Sequence, residues 1–366
     1  MILIYFLCGS VCLYSLFTIY FTVGLHRLKI INRKEYLPTI SIVVAARNEE
    51  TNLQQLLNSL VEQDYPKEKM EIIIVSDRST DGSWQIINDF SNLYPFVKGI
   101  QLEEKPDDMT PKKYALTCGI NNTGGEIILS TDGDCIVPKG WSRSMVSSFD
   151  DSTGIVVGRS SINLSNPSFF NQYQSLDFLG IMAANAGAIG WKRGWSGSGQ
   201  NIAYKRNAFE KIGGFLPVAK TVSGDDMYLV QSISRYYDLH FNTDPNSFIY
   251  TQPEPSIKAF INQRIRWASN SRYLWETNIL FLFFLIIAFI SNSVLIIALW
   301  NKKVLSIFLF LFIIKIISDG LVLYTGSVKL NVSFKKIHFI AWSIFQPIYI
   351  PLTAVMGLFG WFTWKE

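Results

Sequence analysis

The first 25 residues, Met1 to Leu25, carry no charged side chain. At about 1.5 Å of rise per residue, such a stretch crosses a hydrocarbon core of about 30 Å as a single helix. A signal peptide would need a basic residue ahead of the apolar run and a small-residue cleavage site behind it, and neither is evident. The expectation is a membrane-spanning helix. His26, Arg27, Lys29, Arg33 and Lys34 follow it, and the bias of basic residues toward the cytoplasm puts the next segment inside and the N-terminus outside.

The other end of the chain is apolar as well. Ile279 to Trp300 is uncharged and reads as a second span. Val304 to Tyr324 is a third, although it contains Lys315 and Asp319, four residues apart on one helical face. Either the two form a charge pair facing the bundle interior, or the helix is shorter and shifted. Ile337 to Phe362 is a fourth run, in which Pro347 and Pro351 predict a kink or two half-helices. Four spans return the C-terminus to the outside. That puts Lys329, Lys335 and Lys336 in the cytoplasm, with Lys302 and Lys303 external.

Between these ends the pattern is that of a soluble domain. Thr39-Ile-Ser-Ile-Val-Val-Ala-Ala46 is a β-branched run that predicts a strand buried on both faces. Leu53, Leu56, Leu57 and Leu60 mark one face of a helix. Glu71 to Val75, Glu126 to Thr131 and Gly154 to Gly158 repeat the strand signal, and Trp84 to Leu93 is again helical. This alternation predicts an α/β fold with a mostly parallel sheet flanked by helices. The expected organisation is an N-terminal transmembrane helix (1–25), a cytoplasmic domain (38–270) and a C-terminal membrane domain of about three helices (279–362).

Composition excludes some alternatives. Only 17% of residues are charged and the net charge is +4, too weak a field to point to nucleic acid. Four cysteines without zinc-ligand spacing fit neither a disulfide scaffold nor a zinc site, and they suit a reducing compartment. The three histidines are too scattered to form a metal site.

In parallel sheets, ligands bind beyond the carboxyl ends of the strands. There the sequence places Arg47-Asn-Glu-Glu50, then Ser76-Asp-Arg-Ser-Thr-Asp-Gly82, then Asp132-Gly-Asp134. Each set alone has a plain reading as turn or capping residues, Asp81 especially. Their convergence on one sheet edge is not expected by chance.

In order and local sequence, Ile40 to Trp267 resembles the family 2 glycosyltransferases, which have the GT-A fold. Ser41 to Glu49 resembles the family's opening strand and its Asn-Glu pair, so Ala45, Arg47 and Glu49 are implied on the nucleotide-sugar side. Val75 to Asp81 is similar to the nucleotide-binding loop, with Asp77 at the aspartate that contacts uracil or ribose. Ser76 stands where the family often has an acid. Lys112 resembles a lysine near the nucleotide. Asp132, Gly133 and Asp134 match the metal-binding Asp-X-Asp, with Asp134 as the direct metal ligand and Asp132 beside it. Gly197 to Arg206 resembles the acceptor-side glycine-rich segment, which implies acceptor contacts for Gln200 and Asn201. Gly224-Asp-Asp resembles the element holding the catalytic base, so Asp226 is the implied base and Asp225 its acceptor-side neighbour. Gln263-Arg-Ile-Arg-Trp267 is a full Gln-X-X-Arg-Trp motif, which marks the membrane-bound branch containing cellulose, chitin and hyaluronan synthases and ceramide glucosyltransferase. It implies catalytic roles for Gln263, Arg266 and Trp267, the last also walling the acceptor site near the bilayer.

The chemistry suits these residue types. A departing nucleoside diphosphate gathers negative charge, which a hard cation held by carboxylates neutralises; Mg²⁺ and Mn²⁺ both fit. Lys112 and Arg266 add positive charge at the leaving group, and Asp226 takes the proton of the acceptor hydroxyl. The resemblance implies inversion at the anomeric carbon and leans toward a UDP-sugar, with GDP open. Phe169 to Trp191 is apolar and rich in small residues. It reads as a membrane-apposed helix, an acceptor-pocket wall or an ordinary core helix.

The expected protein is an integral enzyme of the cell (inner) membrane, with its catalytic domain cytoplasmic and its acceptor a lipid or lipid-linked sugar. A processive polysaccharide synthase is the alternative, and a silent scaffold or a transporter using Lys315 and Asp319 a minor one. Oligomeric state is not legible.

Overall fold

The computed structural model describes residues 2–33, 35–165, 167–274 and 278–363; Lys34, in the basic flank above, lies outside them. The chain divides into two compact units.

One unit comprises residues 28–161 and 192–252. Its seven-stranded sheet has the order β3-β2-β1-β4-β8-β6-β9, from β1 (Ile40–Ala46), β2 (Met70–Asp77), β3 (Val97–Leu102), β4 (Ile127–Ser130), β6 (Thr153–Gly158), β8 (Ile202–Lys205) and β9 (Asp238–Asn242). The first four strands are parallel, and β9 runs parallel to β6. β8 lies antiparallel between β4 and β6. A small second sheet has the order β5-β10-β7, from β5 (Cys135–Ile136), β7 (Ser160–Ile162) and β10 (Ile249–Thr251). The mostly parallel α/β sheet expected from the apolar runs is therefore present.

The four anticipated strands all form because their β-branched residues are covered by helices. Leu53, Leu56, Leu57 and Leu60 of α2 (Glu50–Val61) are fully buried with Ile42, Val44, Ile72 and Ile74 in one core. α3 (Ser83–Leu93) adds Ile87 and Phe90. α4 (Pro111–Asn121) starts with proline in its first turn, where the missing N–H costs nothing. β3 escaped the sequence reading because it is an edge strand whose Lys98 and Gln101 face solvent.

The other unit comprises residues 1–27, 162–191 and 253–366. Among the described residues, four of its helices are long and apolar enough to cross a membrane: α1 (Ile2–Arg27), α10 (Ile279–Leu299), α11 (Leu305–Lys329) and α12 (Lys336–Phe359). α12 contains Pro347 and Pro351, yet it continues through both as one helix, not two half-helices. The Phe169–Trp191 segment is α6 (Phe169–Gly190), capped by the Ser168 hydroxyl, which accepts from the Asn171 N–H. It is an integral member of this helical unit. α1 and α6 cross at glycine. A methyl group at Gly187 would lie 2.5 Å from the Phe21 carbonyl oxygen, and one at Gly190 would lie 1.9 Å from that of Gly24. Small residues at a helix crossing let two backbones touch.

Of the two readings of Lys315 and Asp319, the interior pair is correct. Lys315 Nζ donates to Asp319 Oδ2 at 2.7 Å, and Tyr14 of α1 donates its hydroxyl to Oδ1 at 2.7 Å. Lys315 is 0% and Asp319 1% exposed, so each charge relies on the other. Removing one member of a buried pair costs about 3–5 kcal/mol, whereas replacing both is often close to neutral. Lys315→Met is therefore expected to lower the thermal midpoint in detergent more than the double change Lys315→Met/Asp319→Asn; the reverse order would mean the pair is not coupled.

Candidate active site

The loops after β1 and β2 clasp each other. Asn48 and Arg78 both adopt φ of 53°, a left-handed backbone that is uncommon outside glycine. Asn48 Oδ1 accepts from the Thr80 N–H (2.8 Å), and the Asn48 N–H donates to the Ser79 hydroxyl (3.1 Å). Asp81 has the plain role weighed for it, since its carboxylate accepts from the N–H groups of Ser83 and Glu50. Asp77 ends β2 at 3% exposure and is paired with the Arg78 guanidinium, Nε to Oδ1 at 2.8 Å. Ala45 and Arg47 stand at the end of β1 and just beyond it.

β4 leads directly into the Asp-X-Asp turn. A Cβ at Gly133 would meet Glu49 Cγ at 3.1 Å, so glycine lets the turn lie against the β1 loop. Lys112, in the first turn of α4, donates to Asp132 Oδ1 at 2.7 Å and lies 3.8 Å from Asp225 Oδ2. Burial pulls its ammonium toward neutrality, but Asp132, Asp225 and Asp226 outweigh that and hold it charged, above the ordinary lysine range.

Asp225 and Asp226 open α8 (Asp225–Ile233), and Gly224 ahead of them takes the left-handed conformation at φ 83°. Asp226 accepts from the Met227 N–H at 2.7 Å and the Gly199 N–H at 3.2 Å. Gly199 belongs to the glycine-rich loop before β8. Burial, then the neighbouring Asp225, pushes the Asp226 carboxyl up to about 6, against the pull of those N–H groups and Lys112. Asp134 accepts from the Thr251 hydroxyl of β10 at 3.1 Å. Burial, Asp132 and Glu49 raise its carboxyl to about 6. Thr251 was not legible as a site residue, because nothing in its local sequence announces a partner 117 positions away.

Among the described residues, no group of three or more His, Cys, Asp or Glu side chains is arranged to hold a metal alone. Crowded acids whose charge lacks compensation nevertheless fit a hard cation that takes its remaining ligands from a diphosphate and water, as Mg²⁺ commonly does. Asp134 suits that role better than Asp132, which is committed to Lys112.

Asn201 does not have the acceptor-facing place expected of it. It is 0% exposed. Its Oδ1 accepts from Trp141 Nε1 (2.9 Å) of α5 (Trp141–Ser147), and its Nδ2 donates to the carbonyls of Arg159 (2.8 Å) and Ser247 (2.7 Å). All its capacity is spent in fastening β6, α5 and the β10 approach. Gln200, beside it, is partly exposed and accepts from the Ser198 hydroxyl at 3.3 Å.

In the helical unit, Gln263, Arg266 and Trp267 lie on α9 (Ile257–Ser269), at helical spacings that share one face. Gln263 donates to Glu254 Oε1 at 2.5 Å and accepts from Arg264, so its amide orients neighbours. Arg264, one of the motif's two variable positions, was missed. It is 5% exposed, lies 4.2 Å over the Trp267 ring and pairs with Asp177 of α6. The one charged side chain of α6, Asp177, was the available signal.

The fold is of the GT-A type. Over 98% of this chain and 99% of the other, the structure is similar to the mannosyltransferase PcManGT from Pyrobaculum calidifontis in complex with GDP-Man and Mn²⁺ (TM-score 0.61, 18% identity). Residues 41–213 match the Glycosyl transferase family 2 model, and the chain carries a domain of that family. Relatives include the "Probable glycosyltransferase YdaM" of Bacillus subtilis (strain 168), 29% identical over 66% of this chain and 57% of that protein. A beta-monoglucosyldiacylglycerol synthase of Nostoc sp. (strain PCC 7120) is 30% identical over 73% of this chain and 58% of that protein. The chain thus spans less than two thirds of the length of these relatives.

Asn201→Ala would take the partner from the buried Trp141 indole N–H and the Ser247 carbonyl, at about 1–3 kcal/mol each, while the Arg159 carbonyl would keep the Ile249 N–H. The expected outcome is a protein markedly less stable to thermal or urea denaturation. Unchanged stability would return Asn201 to the list of ligand contacts.

Proposed function

We propose that this protein is a membrane-bound, metal-dependent, inverting glycosyltransferase. It moves a sugar from a nucleotide sugar, a UDP-sugar first, to the hydroxyl of a lipid or lipid-linked acceptor at the cytoplasmic leaflet. The observation that carries this reading is the convergence of Asp132, Asp225 and Asp226 on Lys112 at the edge that also holds Asp134.

Each group has a task. Asp134, with Asp132 beside it, would hold the divalent cation, which when bound neutralises charge on the diphosphate. Lys112 pairs with Asp132 and adds positive potential on the donor side. Arg47, Glu49 and Asp77 line the nucleotide end. Asp226, poised near pH 6 with its carboxylate fixed by two N–H groups, accepts the proton of the acceptor hydroxyl as the oxygen attacks the anomeric carbon. Attack opposite the diphosphate inverts that centre. The Gln-X-X-Arg-Trp residues enter by the family resemblance: Arg266 as charge for the leaving group, Trp267 as the acceptor-side wall and Gln263 as its support. The four apolar helices support residence in a membrane, and the basic residues after α1 favour a cytoplasmic catalytic domain. The diacylglycerol-modifying relative supports a lipid acceptor. PcManGT was solved with GDP-Man and Mn²⁺, so GDP-sugars belong in the test.

Detergent-purified protein is to be screened with UDP- and GDP-sugars, Mn²⁺ or Mg²⁺, and a membrane lipid extract. Chelator-sensitive nucleotide release with labelled sugar in the organic phase is expected. A growing water-soluble polymer would replace the lipid acceptor with a polysaccharide. Asp226→Asn should lower turnover by about 10²–10⁴-fold, as loss of a general base does; retained turnover would remove Asp226 from that role. Asp134→Ala should abolish the metal-dependent turnover.

The base works only when deprotonated. With saturating cation holding Asp134 ionised, kcat/KM should therefore level off above about pH 6 and fall about tenfold per unit below it. A profile flat to pH 5 would contradict the raised carboxyl.

A further inference from the structure

The Asp177 carboxylate is 4% exposed, yet both its oxygens are occupied. Oδ2 accepts from Arg264 Nε at 2.8 Å and the Tyr349 hydroxyl at 3.3 Å, and Oδ1 accepts from Trp342 Nε1 at 3.0 Å. Trp342 and Tyr349 are seven residues apart, two turns along one face of α12. One carboxylate on α6 thus gathers α9 and two turns of a membrane-length helix.

Arg264 passes this constraint on. Its guanidinium lies over Trp267 at 4.2 Å and over Phe260 at 4.5 Å. Its NH1 donates to the Gln263 side chain, which in turn donates to Glu254. Glu254 is tied to α6 by reciprocal bonds with Gln174: the Glu254 N–H donates to Gln174 Oε1 (2.9 Å), and Gln174 Nε2 donates to the Glu254 carbonyl (3.1 Å). Phe178, next to Asp177, packs on the Trp267 ring at 6.0 Å between centroids. Gln263 and Trp267, two of the motif's three named side chains, are therefore both held by Arg264.

Stability is a poor explanation for this pair, because a buried ion pair is often no better than apolar side chains of the same volume. What it supplies is geometry. A planar guanidinium fixed at Nε by a carboxylate has one orientation, and an indole stacked on it inherits that orientation. We infer that Asp177 and Arg264 are positioning residues for Gln263 and Trp267, and that α12, through Trp342 and Tyr349, sets the pose of the motif and thereby acceptor use. The inference rests on the glycosyltransferase reading and adds to it the residues that tune its acceptor side.

The test uses the full-length protein in detergent with the donor found in the screen, titrating membrane lipid extract and donor separately. Asp177→Asn and Arg264→Lys should raise the apparent KM for the extract about fivefold or more while donor KM stays within about twofold. Lysine keeps the charge but not the planar stack, so Arg264→Lys should not rescue. Tyr349→Phe removes one hydroxyl donor from Asp177 and should act in the same direction, more weakly. Tyr14→Phe, which removes one hydroxyl donor from Asp319 in the same helical unit, is the control: it should cost a similar amount of thermal midpoint and leave the extract KM unchanged. Donor and acceptor constants worsening together in step with the midpoint, in the control as well, would reduce the pair to a structural role and overturn the inference. So would an unchanged extract KM in Asp177→Asn. A wild-type protein that transfers no sugar removes the glycosyltransferase reading and this inference with it, whereas an active wild type with insensitive variants removes the inference alone.

Discussion

Lys112 stands where acids from distant parts of the sequence meet, and its ammonium offsets their mutual repulsion. Asp132 follows β4; Asp225 and Asp226 open a helix almost a hundred residues later. Like charges at these separations repel by an amount that burial magnifies, and one partly buried ammonium 2.7 Å from the first and 3.8 Å from the second offsets it. The offset is incomplete. Asp226 and Asp134 both remain pushed up to about 6. A half-compensated acid cluster is a poor device for stability and suits the proposed chemistry, in which one carboxylate would take a cation and another a proton.

The helical unit meets the same problem differently. Its buried carboxylates among the described residues, Asp319 and Asp177, are each given one cation and at least one neutral donor: Lys315 with Tyr14, and Arg264 with Trp342 and Tyr349. Buried charge in such surroundings persists only when its hydrogen-bonding capacity is filled. The lysine pair joins helices that are otherwise apolar. The arginine pair reaches a helix carrying a recognisable motif. That difference separates a structural device from one that bears on the reaction.

Most of the architecture was legible because it depends on short-range pattern. Thr39–Ala46, Glu71–Val75 and the leucines of α2 are apolar at strand or helix spacing, and the sheet core forms where that spacing puts them. The edge strand β3 and the short strands of the second sheet were not legible. Their pairing partners are far away in the chain, and their faces are partly wet. Asn201 shows the same limit within a motif. Its neighbourhood marks it as polar and glycine-flanked, but whether the amide faces a ligand or three buried backbone and indole groups depends on Trp141, Arg159 and Ser247.

By itself the sequence determined the four apolar helices, the alternating α/β domain, the acids after the strands and the Gln-X-X-Arg-Trp segment, since composition and periodicity are local properties. Tertiary structure alone decided which charges are partners. It paired Lys112 with Asp132, gave Thr251 to Asp134, resolved Lys315 and Asp319 as an interior pair and set Asp177 beneath Arg264. The physical reason is range. A helix or strand signal is complete within a dozen residues, whereas a buried charge is satisfied by whichever oppositely charged or hydrogen-bonding group the fold brings within about 3 Å, however far along the chain that group lies.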